Sequence, residues 1–306
     1  MKPSSNRVVD NQYTFLEHRK TQERKHMEQV NKLDPLSSIL SVEVNTTEMC
    51  NRKCSFCPRH DPAVFANRNL HMSPWGAEII ASKLSEVFRG RISLSGFGEN
   101  LMNPRFPSIV QAFRKHLPDN VIECNTNGDK LSKDYVKKLF DAGLTFLYIN
   151  LYDGVHQIEK FEKIMEGYEV NTHYRYRMHW DGADHGLILN NRSGTIQWLG
   201  IDESSIESLK GTQCYYPFYK LFVDWNGDVL FCSNDWGREH VIGNLMNDNL
   251  HDVWFSQPMR AMRKKLAAGD RSHSPCNKCS VKGTLFGKES FEIIQTYEAN
   301  KTNRQK

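Results

Sequence analysis

The chain has 306 residues, 39% of them hydrophobic, enough to bury one sizeable core and a smaller annex. Its 40 basic and 36 acidic residues leave a formal charge of only +4, with no cationic block interleaved with aromatics, so no nucleic-acid partner is expected. No apolar run nears the ~20 residues of a membrane span, and the polar opening MKPSSNRVVDNQ lacks a signal peptide's apolar stretch; a cytoplasmic protein without membrane contact is expected.

Residues 1–38 read as a polar extension with one surface helix in TFLEHRKTQERKHMEQVNKL, to which no function is assigned. Strands and helices then alternate. SSILSVEVN is the first strand, with Glu43 and Asn45 on its inward parity. The helix SPWGAEIIASKLSEVFR opens at Ser73 with Pro74 in its first turn and carries Ile79, Ile80, Leu84, Val87 and Phe88 on one face. RISLSG, NVIECNT, TFLYINLYDG and NTHYRYRMHW follow as strands, separated by the helices PSIVQAFRKHL, SKDYVKKLFDAG and HQIEKFEKIMEGY. Strand and helix repeated at this spacing mean parallel strands joined by crossovers.

In such a sheet one parity packs against the helices, and the other lines a cavity if the sheet curls. Leu147, Ile149 and Leu151 take the helix side, leaving Tyr148, Asn150 and Tyr152 for the interior. In the fifth strand His173, Arg175, Arg177 and His179 share a face, which suits either an exposed edge or an anion-binding barrel interior.

Further on, CYYPFYKLFVDWNGDVLFCSND reads as a hairpin turning at Asn226-Gly227, with Cys214 near the base of one strand and Cys232 on the next. A single helix, DNLHDVWFSQPMRAMRKKLAAG, is expected after it, with Leu250, Val253, Trp254, Met259 and Met262 toward the core, and SPCNKC supplies a two-cysteine knuckle.

Seven of the eight cysteines fall into two groups. Cys50, Cys54 and Cys57 form C-x3-C-x2-C in MCNRKCSFCPR; Cys214, Cys232, Cys276 and Cys279 form the second group. Cys124, inside NVIECNTNG, reads as a small buried residue. Clustered cysteines in a reducing compartment ligate metal or do chemistry rather than pair. Three thiolates on one loop can hold a cubane iron-sulfur cluster and leave one iron open, the logic that separates catalytic from structural metal sites. A zinc knuckle completed by His60 is the structural alternative. The second group fits a structural zinc or an iron-sulfur cluster equally well by spacing.

The cysteine loop, with Phe56 before its third cysteine, resembles the signature of the radical S-adenosylmethionine (SAM) enzymes. SGFGENLMNP resembles that family's glycine-glutamate motif, which puts Gly98 and Glu99 where the methionyl amino group is received; it lacks the third glycine of a dinucleotide-binding loop. NTNG, with Asn125 and Asn127, is similar to the turn after the third strand, and Asn150 holds the fourth-strand position that faces the SAM ribose. Arg175 or Arg177 is a further candidate for orienting SAM or substrate. The resemblance covers about residues 39–190 and implies an α/β fold, a partial (β/α)6 TIM-like barrel. Beside such a core the second cysteine group resembles the auxiliary-cluster domains called SPASM and, in the shorter form, twitch, here a small β-hairpin plus helix domain. Residues 39–200 then read as the radical SAM core and 201–306 as the auxiliary domain and tail.

What the resemblance implies is a [4Fe-4S] cluster on Cys50, Cys54 and Cys57 that binds SAM, reductive cleavage of SAM to a 5′-deoxyadenosyl radical, and an auxiliary [4Fe-4S] cluster on Cys214, Cys232, Cys276 and Cys279. Four protein ligands leave no open iron, so the auxiliary cluster passes electrons or braces the fold. That points to dehydrogenation of a hydroxylated small molecule such as an aminocyclitol or sugar, with a flavodoxin-like or ferredoxin-like protein as electron donor. A peptide-modifying radical SAM enzyme and a non-enzymatic zinc scaffold are the alternatives. No catalytic base is assigned, although Glu43 is a candidate.

Overall fold

The computed structural model describes residues 9–10, 12–178, 190–197 and 206–304; His179 and the expected boundary at residue 200 lie outside the described residues. Nine strands make one sheet: β1 (Val9–Asp10), β2 (Ser41–Val44), β3 (Arg91–Leu94), β4 (Ile122–Thr126), β5 (Phe146–Leu151), β6 (Tyr174–Met178), β7 (Lys220–Val223), β8 (Asp228–Leu230) and β9 (Val241–Asn244). Their spatial order is β1-β6-β5-β4-β3-β2-β7-β8-β9. The pairings from β1 through β7 are parallel, and β8 and β9 add antiparallel at the β7 side. The strands and crossover helices expected from the sequence are all present, and they form the partial barrel.

The crossovers are α2 (Pro74–Ser85), α3 (Phe106–His116), α4 (Lys133–Asp141) and α5 (Gln157–Ile164), preceded in the chain by α1 (Gln12–Gln29). The Ser73 hydroxyl accepts the Gly76 amide at the start of α2, and Ser132 does the same for Tyr135 at α4. Between helices and sheet lie Ile80, Leu84, Ile92, Ile109, Phe113, Ile122, Val136, Leu147, Ile149 and Phe161, all fully buried. Each such side chain contributes about 1.5–3 kcal/mol of transfer free energy. Cys124 is buried in the same core, the bland role its setting predicts.

Parity along β5 is as expected: Leu147, Ile149 and Leu151 join the helix-side core. On β6, Tyr174 and Tyr176 join it too, which turns Arg175 and Arg177 inward. The exposed-edge reading of this strand does not hold, because β1 pairs along its outer side.

Two expectations need correction in the second half of the chain. Cys232 lies just past β8 rather than on it, because the chain leaves the ladder to make a turn in which the Asp235 amide bonds the Cys232 carbonyl at 3.0 Å. The single long helix is two, α7 (Leu250–Trp254) and α8 (Gln257–Ala267), which follow the short α6 (Tyr216–Tyr219). Pro258 cannot donate within a continuing helix, and Ser256 restarts the chain by accepting the Met259 amide. The expected core residues of both pieces are buried: Leu250, Val253, Trp254, Met259 and Met262. The last helix is α9 (Lys288–Arg304). Among the described residues no helix is long and apolar enough to cross a membrane.

One inward ion pair gives the fold a pH signature. Glu123 on β4 is 1% exposed and accepts two 2.7 Å bonds from Arg19 of α1, with Arg91 at 3.6 Å. Burial alone would raise the Glu123 carboxyl, but the two guanidiniums outweigh it and hold it at about 2, below an ordinary 4.5. The folded carboxyl ionises more readily than the unfolded one. The pair therefore contributes fully above about pH 4.5, and the contribution, about 3 kcal/mol, is lost as pH falls toward 2. Urea midpoints measured between pH 5 and pH 3 should fall for the wild type and fall less for Glu123→Gln; parallel curves would remove this assignment.

Candidate functional site

The C-terminal ends of β2 to β5 present the cysteine loop. Gly98 explains how β3 and that loop come together: a Cβ there would lie 2.2 Å from the Thr47 carbonyl oxygen and 2.8 Å from that of Met49. The Glu99 amide then bonds the Met49 carbonyl at 2.8 Å. Glu99 itself is 5% exposed, its carboxyl raised by burial. It accepts the Thr126 hydroxyl at 2.7 Å, the Asn127 amide at 2.8 Å and the Leu101 amide at 3.2 Å. A carboxylate offers about four lone-pair sites, so one acceptor position is left for a ligand amine.

The loop is pinned from inside its own motif. Arg52, between Cys50 and Cys54, makes two 2.7 Å bonds to Asp129 beyond β4 and two 2.8 Å bonds to Asp153 beyond β5. Asn51 adds a 2.7 Å bond to Asp129 and accepts Asn127 Nδ2 at 2.9 Å. Phe56 stacks on Tyr152 at 5.6 Å. Asn127 is thus brought to the loop as a brace, while Asn125 sits lower on the inner face, 3.4 Å from the Ser93 hydroxyl. Asn150 donates to the Thr126 carbonyl, and its buried Oδ1 has no hydrogen-bond partner among the described residues. That oxygen is an open acceptor on the inner face. Arg177 is half-buried there, held down to about 10 by desolvation.

On the β7 side, Glu43 accepts Lys220 Nζ at 2.8 Å and the Ser95 hydroxyl at 3.0 Å. Lys220 also lies 5.6 Å over the ring of Tyr216, and Tyr216 lines a cavity whose wall includes all four of Cys214, Cys232, Cys276 and Cys279. Arg271 knits this wall together by donating to the carbonyls of Thr212, Gln213, Val281 and Lys282. Among the described residues no three histidine, cysteine or carboxylate side chains are placed to hold a single metal ion.

The donor chemistry fits iron-sulfur clusters. The eight cysteines are all free. Desolvation pushes Cys50 and Cys214 up to about 11 and Cys54 and Cys276 to about 12, so each carries a thiolate only with cationic metal beside it. Amides already point at the sulfurs. Cys50 accepts from Arg52 at 3.5 Å, and Cys232 from Asn234 and Cys279 from Val281 at 3.4 Å. Hydrogen bonds to cluster sulfurs are one of the levers a protein has on such a centre.

Sequence reasoning missed Arg52, Asp129, Asp153, Lys220, Arg271 and Arg192. The last has a signal, the NNRSG turn in which Arg192 takes φ +46°. Asn191 ties that turn to the knuckle through Ser280 and the Lys278 carbonyl. Arg192 lies close enough to Cys57, Arg177 and Tyr216 to bias the ionisation of all three. Its buried Nε has no hydrogen-bond partner among the described residues.

Comparison with known proteins agrees with this geometry. The Radical SAM superfamily model matches residues 44–174, and the model of an iron-sulfur cluster-binding domain, SPASM, matches residues 214–280. The chain is similar to S-adenosyl-L-methionine-dependent 2-deoxy-scyllo-inosamine dehydrogenase of Niallia circulans, 28% identical over 255 residues that cover 81% of this chain and 96% of that protein. A shorter likeness, 27% over 152 residues, joins 46% of this chain to 45% of GTP 3′,8-cyclase of Mesorhizobium japonicum. Among solved structures, BtrN in complex with AdoMet and 2-DOIA matches with a TM-score of 0.68 at 24% identity, covering 82% of this chain and 96% of that one. Residues 44–174 therefore belong to the radical SAM superfamily and residues 214–280, after the barrel, to the SPASM iron-sulfur cluster-binding domain, the architecture of an iron-sulfur-dependent enzyme.

Proposed function

We propose that this enzyme dehydrogenates a carbinol carbon of a small polyhydroxylated molecule of the aminocyclitol or sugar kind. The observation that carries the reading is the pair of cysteine sets on either side of one polar inner face. The loop with three cysteines lies at one end, and a cavity walled by four lies beyond Tyr216. The 28% likeness to an aminocyclitol dehydrogenase over nearly its whole length supports the substrate class.

Cys50, Cys54 and Cys57 would hold a [4Fe-4S] cluster with one iron open to SAM, and Cys214, Cys232, Cys276 and Cys279 a second, fully ligated one. When bound, SAM and the first cluster supply a hydrogen-abstracting radical and the second cluster takes up the remaining electron. The residues of the chain do the rest. Gly98 sets the approach of the loop, Glu99 offers one acceptor to the methionyl amine, and the free Asn150 Oδ1 suits a ribose hydroxyl. Asn127 braces the loop, Asn125 faces the interior, and Arg177 with Arg192 provides positive charge for hydroxyl or carboxylate oxygens. Glu43, held by Lys220, would receive the hydroxyl proton. A flavodoxin-like or ferredoxin-like donor would deliver the first electron.

Anaerobically reconstituted protein should be brown and bind about eight irons per chain, two cubanes. With reductant, SAM and aminocyclitols it should form 5′-deoxyadenosine together with a product lighter by two hydrogens. Zinc in colourless protein, or turnover of peptides alone, would overturn the reading.

A further inference from the structure

Helix α1 lies outside both family matches, and its sequence reads as a surface helix. In the fold it is an internal strap. Its inward residues Phe15, Arg19, Glu23 and Met27 recur every four positions, one face of a helix. At the near end the Phe15 ring meets Tyr148 edge-on at 5.8 Å, and the Arg177 guanidinium rests on it at 4.1 Å. One turn on, Arg19 is 7% exposed, bonded twice to Glu123 and stacked 5.0 Å from Phe15 and 4.9 Å from Tyr148. At the far end Glu23 accepts the Gly287 amide at 2.8 Å, and Met27 is buried with Leu40 and Tyr219. The helix is therefore moored on β4 to β6 at one side and beside β7 at the other.

Its level along the strands matters. Glu123 is near the N-terminal end of β4, while Asn127 and the cysteine loop are at the opposite end. Four residue steps, 123 to 127, separate them, about 13 Å of rise. We propose that α1 is a plug that forms the floor of the substrate cavity, with Arg19 as the positioning residue that seats it and Phe15 as the surface carrying Arg177. The plug limits the cavity to about 13 Å in depth, which suits SAM and a single ring. This rests on the inner face being the substrate cavity, as proposed above. A bidentate, twice-stacked guanidinium is a shape-specific fit that an ammonium cannot reproduce.

The test is chemical rescue of the metal-free, full-length protein. Arg19→Gly should melt about 10 °C below wild type, because Glu123 is left buried without its main partner. Ethylguanidinium at about 10 mM should restore at least half of that loss and leave wild type unchanged, by filling the vacated slot. Ethylammonium at the same concentration should not. Amide exchange over residues 12–29 should lose protection in the variant and regain it with ethylguanidinium. In cluster-loaded Arg19→Gly, rescue should lower KM for an aminocyclitol while the rate of SAM cleavage stays the same.

Equal rescue by ethylammonium, an unshifted melting temperature or undisturbed exchange over α1 would each overturn the plug. If Arg19→Gly does not fold, Arg19→Lys decides: it should melt several degrees below wild type, because an ammonium cannot make the bidentate, twice-stacked fit, and a wild-type value overturns the proposal. The thermal readout needs no cofactor, so rescue in a protein that oxidises no cyclitol would keep the plug and retire the proposed substrate.

Discussion

With Cys54 replaced by alanine, 5′-deoxyadenosine formation is expected to fall more than a thousandfold, well beyond the ~10–100-fold typical of disturbing residues that only support a metal ligand. Replacing Cys276 instead should separate the two halves of the reaction. Iron should drop from about eight to about four per chain in either variant. In Cys276→Ala, however, SAM cleavage should continue while dehydrogenated product falls at least tenfold, because the loop that presents Cys50, Cys54 and Cys57 is held by its own contacts. Those contacts are the Arg52 bonds to Asp129 and Asp153 and the Phe56–Tyr152 stack, and none involves the four-cysteine cavity. Anaerobic single-turnover assays that quantify both products, with iron counted on the same samples, check this. Persistent cleavage in Cys54→Ala would remove the trio from its role. Complete loss of cleavage in Cys276→Ala would make the second site structural and leave the oxidation without an exit for its second electron.

How much of this was legible in the sequence follows from how local each signal is. The cysteine loop is legible because its three ligands lie within eight residues, and β4 and β5 because their apolar residues alternate. The clamp on that loop is not, since Arg52 finds its partners 77 and 101 positions away. Helix α1 misled for a different reason. Its inward stripe contains Arg19 and Glu23, and a polar stripe reads as solvent-facing until a buried Glu123 is known to wait opposite it. The break between α7 and α8 was present in the sequence as Ser256 and Pro258, but the apolar periodicity on both sides obscured it. The inward turn of Arg175 and Arg177 could not be chosen over an edge strand without β1, whose pairing covers the outer side of β6.

Glu48→Gln is expected to lower the melting temperature of the metal-free protein by about 10 °C, the scale for unpairing a buried charge network. Glu48 follows β2, two residues before Cys50, and is fully buried. Its carboxylate accepts Arg238, faces Arg68 at 3.2 Å and Arg59 at 3.8 Å, and Arg238 continues to Asp224 at 2.5 Å. Around these charges the rings of Phe65, Phe97, Phe222 and Trp236 pack at centroid distances of 4.3 to 5.9 Å, with Cys57 against them. The guanidiniums of Arg59 and Arg238 lie over Phe65 at 4.7 and 5.3 Å. Glutamine keeps the shape but removes the anion, so three cations converge on a neutral amide inside an apolar wall. Breaking such a buried arrangement from one side costs about 3–5 kcal/mol, whereas the Lys133–Glu166 pair is exposed and screened by solvent and contributes little. Glu166→Gln should therefore melt within about two degrees of wild type. The network also joins the approach to the cysteine loop to the Asp224–Arg238 region beside Cys232, so Glu48→Gln should weaken iron retention at both cysteine sets together, as read by iron release to a chelator. A variant as stable as Glu166→Gln, or one that releases iron from a single set, would mean that the two halves of the site are positioned independently.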